Sequence, residues 1–113
     1  KIAGFDGSRI YSFKEHQYTE WQMGWRIIKN VPSMLIRKPD IVISHAPPRK
    51  IHDKEEPVHK GFKVFIKLIE HFKPKLWVHG HSHLGNHMEK QESIYKGTRV
   101  VNAYGYKIIE IEL

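Results

Sequence analysis

The chain has 113 residues, of which 40% are hydrophobic and 12% aromatic. This composition predicts one small packed domain or part of a larger one, and excludes a disordered tail. The sequence contains no cysteine, which excludes disulfides, thiolate metal sites and cysteine nucleophiles. No apolar run approaches the ~20 residues of a membrane span and no signal peptide is visible, so we expect a cytoplasmic protein without a membrane partner. The formal charge of +7 favours anionic partners.

The N-terminal third predicts a strand followed by a helix. The apolar stretch "KIAGFDGS" (residues 1–8) is typical of a core strand that enters a tight loop. Because the chain starts at Lys1 with such a strand, we expect its true N-terminus to lie upstream. Thr19 and Gln22 have the spacing of a capping box, which predicts a helix from about Glu20. Pro32 is expected to break or restart that helix. Four apolar residues follow a helical period typical of a core face: Trp21, Trp25, Ile28 and Val31.

The rest of the chain predicts alternating strands and helices. "DIVISHAPP" (40–48) is continuously apolar before two prolines, which suits a parallel strand covered on both faces. "VHKGFKVFIKLIEHFK" (58–73) is an amphipathic helix that Pro74 ends. "KLWVHGHSH" (75–83) is a second buried strand, and "TRVVNAYG" and "YKIIEIEL" predict two more. The order predicts an α/β fold, in which ligands bind beyond the carboxyl ends of the strands.

Histidines are concentrated where the predicted strands end. His45 follows one strand, Ser8 follows another, and His81 and His83 follow a third with one residue between them. In an extended chain His81 and His83 project to the same side. Neutral imidazole is the commonest protein ligand for borderline divalent metals, so the pattern indicates a metal site. His79 still lies inside its strand, and we assign it a structural role.

Other polar residues near this edge are ambiguous from sequence alone. A lone histidine after a strand is more often a hydrogen-bonded structural residue than a ligand, so His45 by itself carries little weight. His52, Asp53 and His59 occupy the loop after "SHAPP", from which they would overhang the same edge, but loop histidines and carboxylates are common on any surface. Arg49 directly follows "HAPP", and is either a contact for substrate phosphate or a plain surface arginine.

Together "DIVISHAPP" and "WVHGHSH" resemble the last two metal-binding motifs of the calcineurin-like metallophosphoesterases. The likeness extends over the whole chain, since "KIAGFDGS" and "GTRVVNAYGYKIIEIEL" match the strands before and after those motifs. It implies a layered β-sandwich flanked by helices, of which residues 1–113 supply the C-terminal half of a single domain. The N-terminal half would be missing or on another polypeptide. That half carries the family's Asp-x-His, Gly-Asp and Gly-Asn-His motifs. The first two do not occur here, and the one Gly-Asn-His, residues 85–87, follows "GHSH" instead of preceding "SHAPP".

The resemblance also implies an activity and a set of ligands. His45 and His81 would bind one metal of a pair, and His83 the other. The cofactors would be two divalent ions, for which manganese is favoured and iron, zinc or nickel are alternatives. Such ions, about 3.5–4 Å apart, support hydrolysis of phosphodiesters or phosphomonoesters. The chain would be inactive by itself, because the other ligands lie in the missing half.

Two alternatives to a hydrolase remain open at this point. A basic chain with Trp, Tyr and Phe along it suits a module that binds nucleic acid through phosphates, although the aromatics fall at core-like periods and no RRM, KH or zinc-finger signature occurs. A non-catalytic relative that kept the fold but lost a complete site is equally compatible with the absent ligands.

Overall fold

The computed structural model describes residues 2–9, 17–49, 51, 61–80, 92–103 and 109, without the side chains of residues 8, 9 and 17. Seven strands and two helices lie in these residues. The elements in chain order are β1 (Ile2–Phe5), β2 (Ser8–Arg9), β3 (Gln17–Tyr18), α1 (Glu20–Ile36), β4 (Ile41–Ser44), α2 (Lys63–Phe72), β5 (Leu76–His79), β6 (Glu92–Tyr95) and β7 (Thr98–Asn102).

Five of the strands form one mixed sheet in the order β1-β4-β5-β7-β6. All neighbours in it are parallel except β6 and β7. The predicted α/β fold and its strand–helix–strand–helix–strand order are therefore confirmed. The sequence did not predict β6, or the small parallel sheet of β2 and β3. The strand predicted over "YKIIEIEL" lies, apart from residue 109, outside the described residues.

The core lies between the helices and one face of the sheet. Phe65 of α2 is fully buried, with its ring centroid 5.9 Å from that of Phe5 and 5.0 Å from that of Trp77. In the sheet register Val42, Trp77 and Val100 are aligned on neighbouring strands, and all three are fully buried in the same core. Helix α2 thus packs across the middle of the sheet.

Helix α1 begins as predicted but does not break at Pro32. The Thr19 side chain accepts a hydrogen bond from the backbone of Gln22, and the Gln22 side chain accepts one from the backbone of Thr19. The helix then continues through Pro32 to Ile36. Pro32 lies on the exposed side of α1, where water can bond the carbonyl of Ile28 that has lost its N–H donor. Buried Met34 holds the last turn against the core.

Two expectations about burial are wrong. Trp21 and Trp25 were expected to face the core, but they are 81% and 58% exposed, and Met23 and Ile27 are buried instead. β4 was expected to be covered on both faces, but Ile43 is 48% exposed because both helices lie on the opposite face of the sheet. Continuous apolar sequence does not reveal which faces are covered.

Neither helix in the described residues is long and apolar enough to cross a membrane. The cytoplasmic location stays a prediction.

Candidate metal centre

The carboxyl ends of β1, β4, β5 and β7 lie side by side at one edge of the sheet. The backbone N–H of His45 donates to the carbonyl of Phe5 at 3.1 Å, and that of Gly80 donates to the carbonyl of His45, also at 3.1 Å. The N–H of Ala103 donates to the carbonyl of His79 at 2.8 Å. These bonds extend the parallel ladders by one residue beyond each strand. Position 45 is therefore the direct neighbour of the glycine in "GHSH".

Of the predicted ligands, only His45 lies in the described residues. Its side chain is exposed at the sheet edge, as an imidazole must be to take up an ion from solution. His81 and His83 lie outside the described residues, as do His52, Asp53 and His59. Within the described ranges, no three histidine or carboxylate side chains are close enough to hold a metal. The imidazole of His45 is a ligand type that divalent transition metals accept. The other two ligands, His81 and His83, stay predictions.

His79, the last residue of β5, directly precedes Gly80, which is the sheet neighbour of His45. It is 1% exposed, and its Nδ1 lies 3.0 Å from the carbonyl oxygen of Gly80. Because a carbonyl only accepts, Nδ1 carries the proton and donates it. Its register partners are Ser44 and Asn102, both buried. Burial inside the strand agrees with the structural role assigned to His79.

The backbone on both sides of His45 is fixed by a buried pair that the sequence analysis did not identify. The indole Nε1–H of Trp77 donates to the Ser44 hydroxyl at 2.8 Å, and that hydroxyl donates to the carbonyl of Ala46 at 2.7 Å. All three residues are buried. A serine inside an otherwise apolar strand, directly before a candidate ligand, is the signal that could have revealed it. The pair sets where His45 leaves the sheet.

The side chain of Asp6, a carboxylate at the same edge of the sheet, contacts α1. Arg26 forms an ion pair with the Asp6 carboxylate and donates to the Asp6 carbonyl at 2.8 Å. The guanidinium also stacks over the ring of Tyr18, 4.2 Å from its centroid. Asp6 thus ties the end of β1 to α1.

The segment after His45 is tied to the start of α2. The N–H of Phe62 donates to the carbonyl of Pro47, and the N–H of Arg49 donates to the carbonyl of Phe62, each at 3.1 Å. A Cβ on Gly61 would lie 2.6 Å from the carbonyl oxygen of Pro48, so only glycine fits this approach. The loop that carries His52, Asp53 and His59 therefore begins and ends close to the candidate centre.

Arg49 is 8% exposed. Its burial removes the plain surface arginine as an explanation. Contact with a substrate phosphate stays a prediction.

No protein-family model, no curated protein and no solved structure matches this chain.

Proposed function

We propose that this chain is the C-terminal half of a metal-dependent phosphoesterase, which hydrolyses a phosphodiester or phosphomonoester at a pair of divalent ions. The proposal rests on the motifs "SHAPP" and "GHSH" and their resemblance to the calcineurin-like metallophosphoesterases. One structural observation supports it most. The hydrogen bond from Gly80 N–H to the carbonyl of His45 makes the two motifs neighbours at the edge where α/β sheets bind ligands.

The proposed ligands are His45 and His81 for one ion and His83 for the other. When bound, the ions would supply a nucleophile from water and stabilise charge on the phosphoryl oxygens. The chain's own part is positional. Ser44 and Trp77 hold the backbone around His45. Arg49 is the proposed phosphate contact, with His52, Asp53 and His59 nearby in the loop that follows.

The proposed fold is the family's layered β-sandwich, with residues 1–113 as its C-terminal half. The exposed part of the sheet face away from the helices, at β1 and β4, supports a second layer. Ile2 is 64% exposed on β1 and Ile43 is 48% exposed on β4, both on the face away from the helices. Exposed apolar side chains of this size on one sheet face favour a covering layer. We propose that the N-terminal half provides that layer and the remaining metal ligands.

Metal content and turnover test the proposed function. The chain is prepared with the N-terminal half that completes it, its metal content is measured by mass spectrometry, and hydrolysis of a generic aryl phosphodiester is followed with added Mn²⁺. We expect His81→Ala to lose bound metal and turnover while the midpoint of urea unfolding hardly moves. His79→Ala is expected to lower stability first, because its ring is buried in β5.

His71→Ala is the matched control, since His71 is exposed on α2 and belongs to none of the motifs. It should leave metal content and turnover unchanged. Normal turnover in His81→Ala would contradict the ligand assignment. Strong salt-dependent binding of nucleic acid without turnover would favour the binding module instead. An N-terminal half without Asp-x-His and Gly-Asn-His would favour the non-catalytic relative.

A further inference from the structure

Helix α1 carries a second apolar stripe that faces away from the core. Trp21, Trp25, Ile28 and Leu35 are between 55% and 81% exposed. With exposed Pro32 they recur at alternating steps of four and three residues, which is the spacing of a seam between two paired helices. The other side of α1 already contacts the core through Met23, Ile27 and Met34.

A groove runs beside this stripe, between α1 and α2. It has a volume of about 710 Å³ and a mainly apolar lining, to which Glu20, Lys63 and Lys67 also contribute. Gly24 lines it from α1, opposite Val64 and Leu68 of α2. Because Gly24 has no side chain, it adds nothing to fill the groove between Trp21 and Trp25 of α1 and the second helix. A ridge of large side chains from another helix fits such a groove.

We propose that the occupant is α1 of a second copy of this chain, packed antiparallel about a two-fold axis near Ile28. A two-fold interface uses the same patch on both partners, so the patch must be self-complementary. The stripe meets this requirement, because Trp21 lies two turns before Ile28 and Leu35 two turns after it. In the antiparallel pair each Trp21 packs on the partner's Leu35, and Trp25 packs beside the partner's Pro32.

Charge at the two ends of α1 favours the same orientation. Glu20 begins the helix, and exposed Arg37 and Lys38 follow its end. An antiparallel pair brings each Glu20 near the basic end of the partner and opposes the helix dipoles. A parallel pair would bring the four basic side chains together at one end and stack tryptophan on tryptophan at the other.

The exposed area suits a small dimer interface. A tryptophan buries roughly 150–250 Å² on full burial, so Trp21 and Trp25, which are 81% and 58% exposed, together offer roughly 210–350 Å² per chain. Ile28, Pro32 and Leu35 add to this area. A standard interface buries about 800 Å² per partner. On the proposed function, the N-terminal half covers the opposite face of the sheet, so it does not compete for this face of α1.

Sedimentation equilibrium of the full chain, from about 1 µM to about 1 mM, tests the proposal. We expect a monomer–dimer equilibrium that Ile28→Glu weakens at least about 100-fold, because each dimer would bury two unpaired carboxylates at its centre. Ile94→Glu is the matched control, since Ile94 is 74% exposed on β6, and it should leave the equilibrium unchanged. A monomeric wild-type chain over this range, or a dimer that survives Ile28→Glu, would overturn the proposal.

Cross-linking tests the orientation separately, and the absence of native cysteines makes it clean. A disulfide needs Cα atoms within about 7 Å of each other. Ile28→Cys should therefore cross-link to itself across the two-fold axis. Trp21→Cys should cross-link to Leu35→Cys when the two variants are mixed, and not to itself, because two turns on each side separate like positions by roughly 20 Å. Efficient cross-linking of Trp21→Cys to itself would refute the antiparallel pair.

Discussion

Ser44→Ala is the substitution that best tests how the backbone around His45 is held. The Ser44 hydroxyl is 4% exposed, and it accepts from the fully buried indole of Trp77 while donating to the carbonyl of Ala46. Alanine fits the space, but it leaves the buried indole N–H of Trp77 without the Ser44 acceptor. It also leaves the buried carbonyl of Ala46 without the Ser44 donor. Each buried group left unpaired costs about 1–3 kcal/mol. We therefore expect the free energy of unfolding to fall by about 2–4 kcal/mol, measured by urea denaturation.

A double-mutant cycle with Trp77→Phe separates the hydrogen bond from other effects of Ser44→Ala. Trp77→Phe is destabilising by itself, since it removes apolar volume from the core. In the Trp77→Phe chain, however, there is no indole N–H that Ser44→Ala could leave without an acceptor. Ser44→Ala should then cost at least about 1 kcal/mol less than in the wild-type chain. An equal cost of Ser44→Ala in both backgrounds would refute the hydrogen-bond explanation.

Three further predictions concern the backbone approach at Gly61, the N-cap of α1 at Thr19 and the hydroxyl of Tyr95. Gly61→Ala should lower the free energy of unfolding by about 1–3 kcal/mol, since its Cβ meets backbone, whereas Gly24→Ala should be neutral or stabilising, because its Cβ makes ordinary contact. Thr19→Ala should cost about 0.5–2 kcal/mol by urea denaturation, and no cost would contradict the capping box. The hydrogen bond from the Tyr95 hydroxyl to Glu70 raises the pKa of Tyr95. This bond therefore stabilises the fold below about pH 10, and the stabilisation is lost as pH rises through the folded pKa. Glu70→Ala should lower the pKa of Tyr95 in an NMR titration.

Local signals in the sequence predicted the elements that depend on local physics. The capping box at Thr19 and Gln22 is an interaction within one turn, so its spacing is sufficient to place the start of α1. Strands β4 and β5 were recognised because apolar runs bounded by Pro and Gly have few other structures available. β6 was missed, since Glu92–Tyr95 alternates weakly and depends on its antiparallel pairing with β7. Pairing between distant segments leaves little trace in either segment alone.

Helix periodicity identified α1 but selected the wrong face as the buried one. Trp21 and Trp25 belong to a stripe as regular as that of Met23 and Ile27. The tryptophans have more apolar area, so the sequence favours them for the core. α1 contacts the core through Met23 and Ile27, whose side chains are smaller, and its larger tryptophan side chains are exposed to solvent. A helix with two apolar stripes needs two partners, and only one of them is within the described fold.

The candidate site shows the same division between local and non-local information. The motifs predict His45, His81 and His83 as metal ligands, but whether any two of them can reach one ion depends on strand register. The register of β4 and β5 aligns Ser44 with His79, so His45 and Gly80 follow as neighbours. A slip of one residue would turn every side chain of β5 to the other face and bury Val78 in place of Trp77. The Trp77–Ser44 bond exists only in the observed register, so it opposes that slip and stabilises the edge at which His45 leaves the sheet.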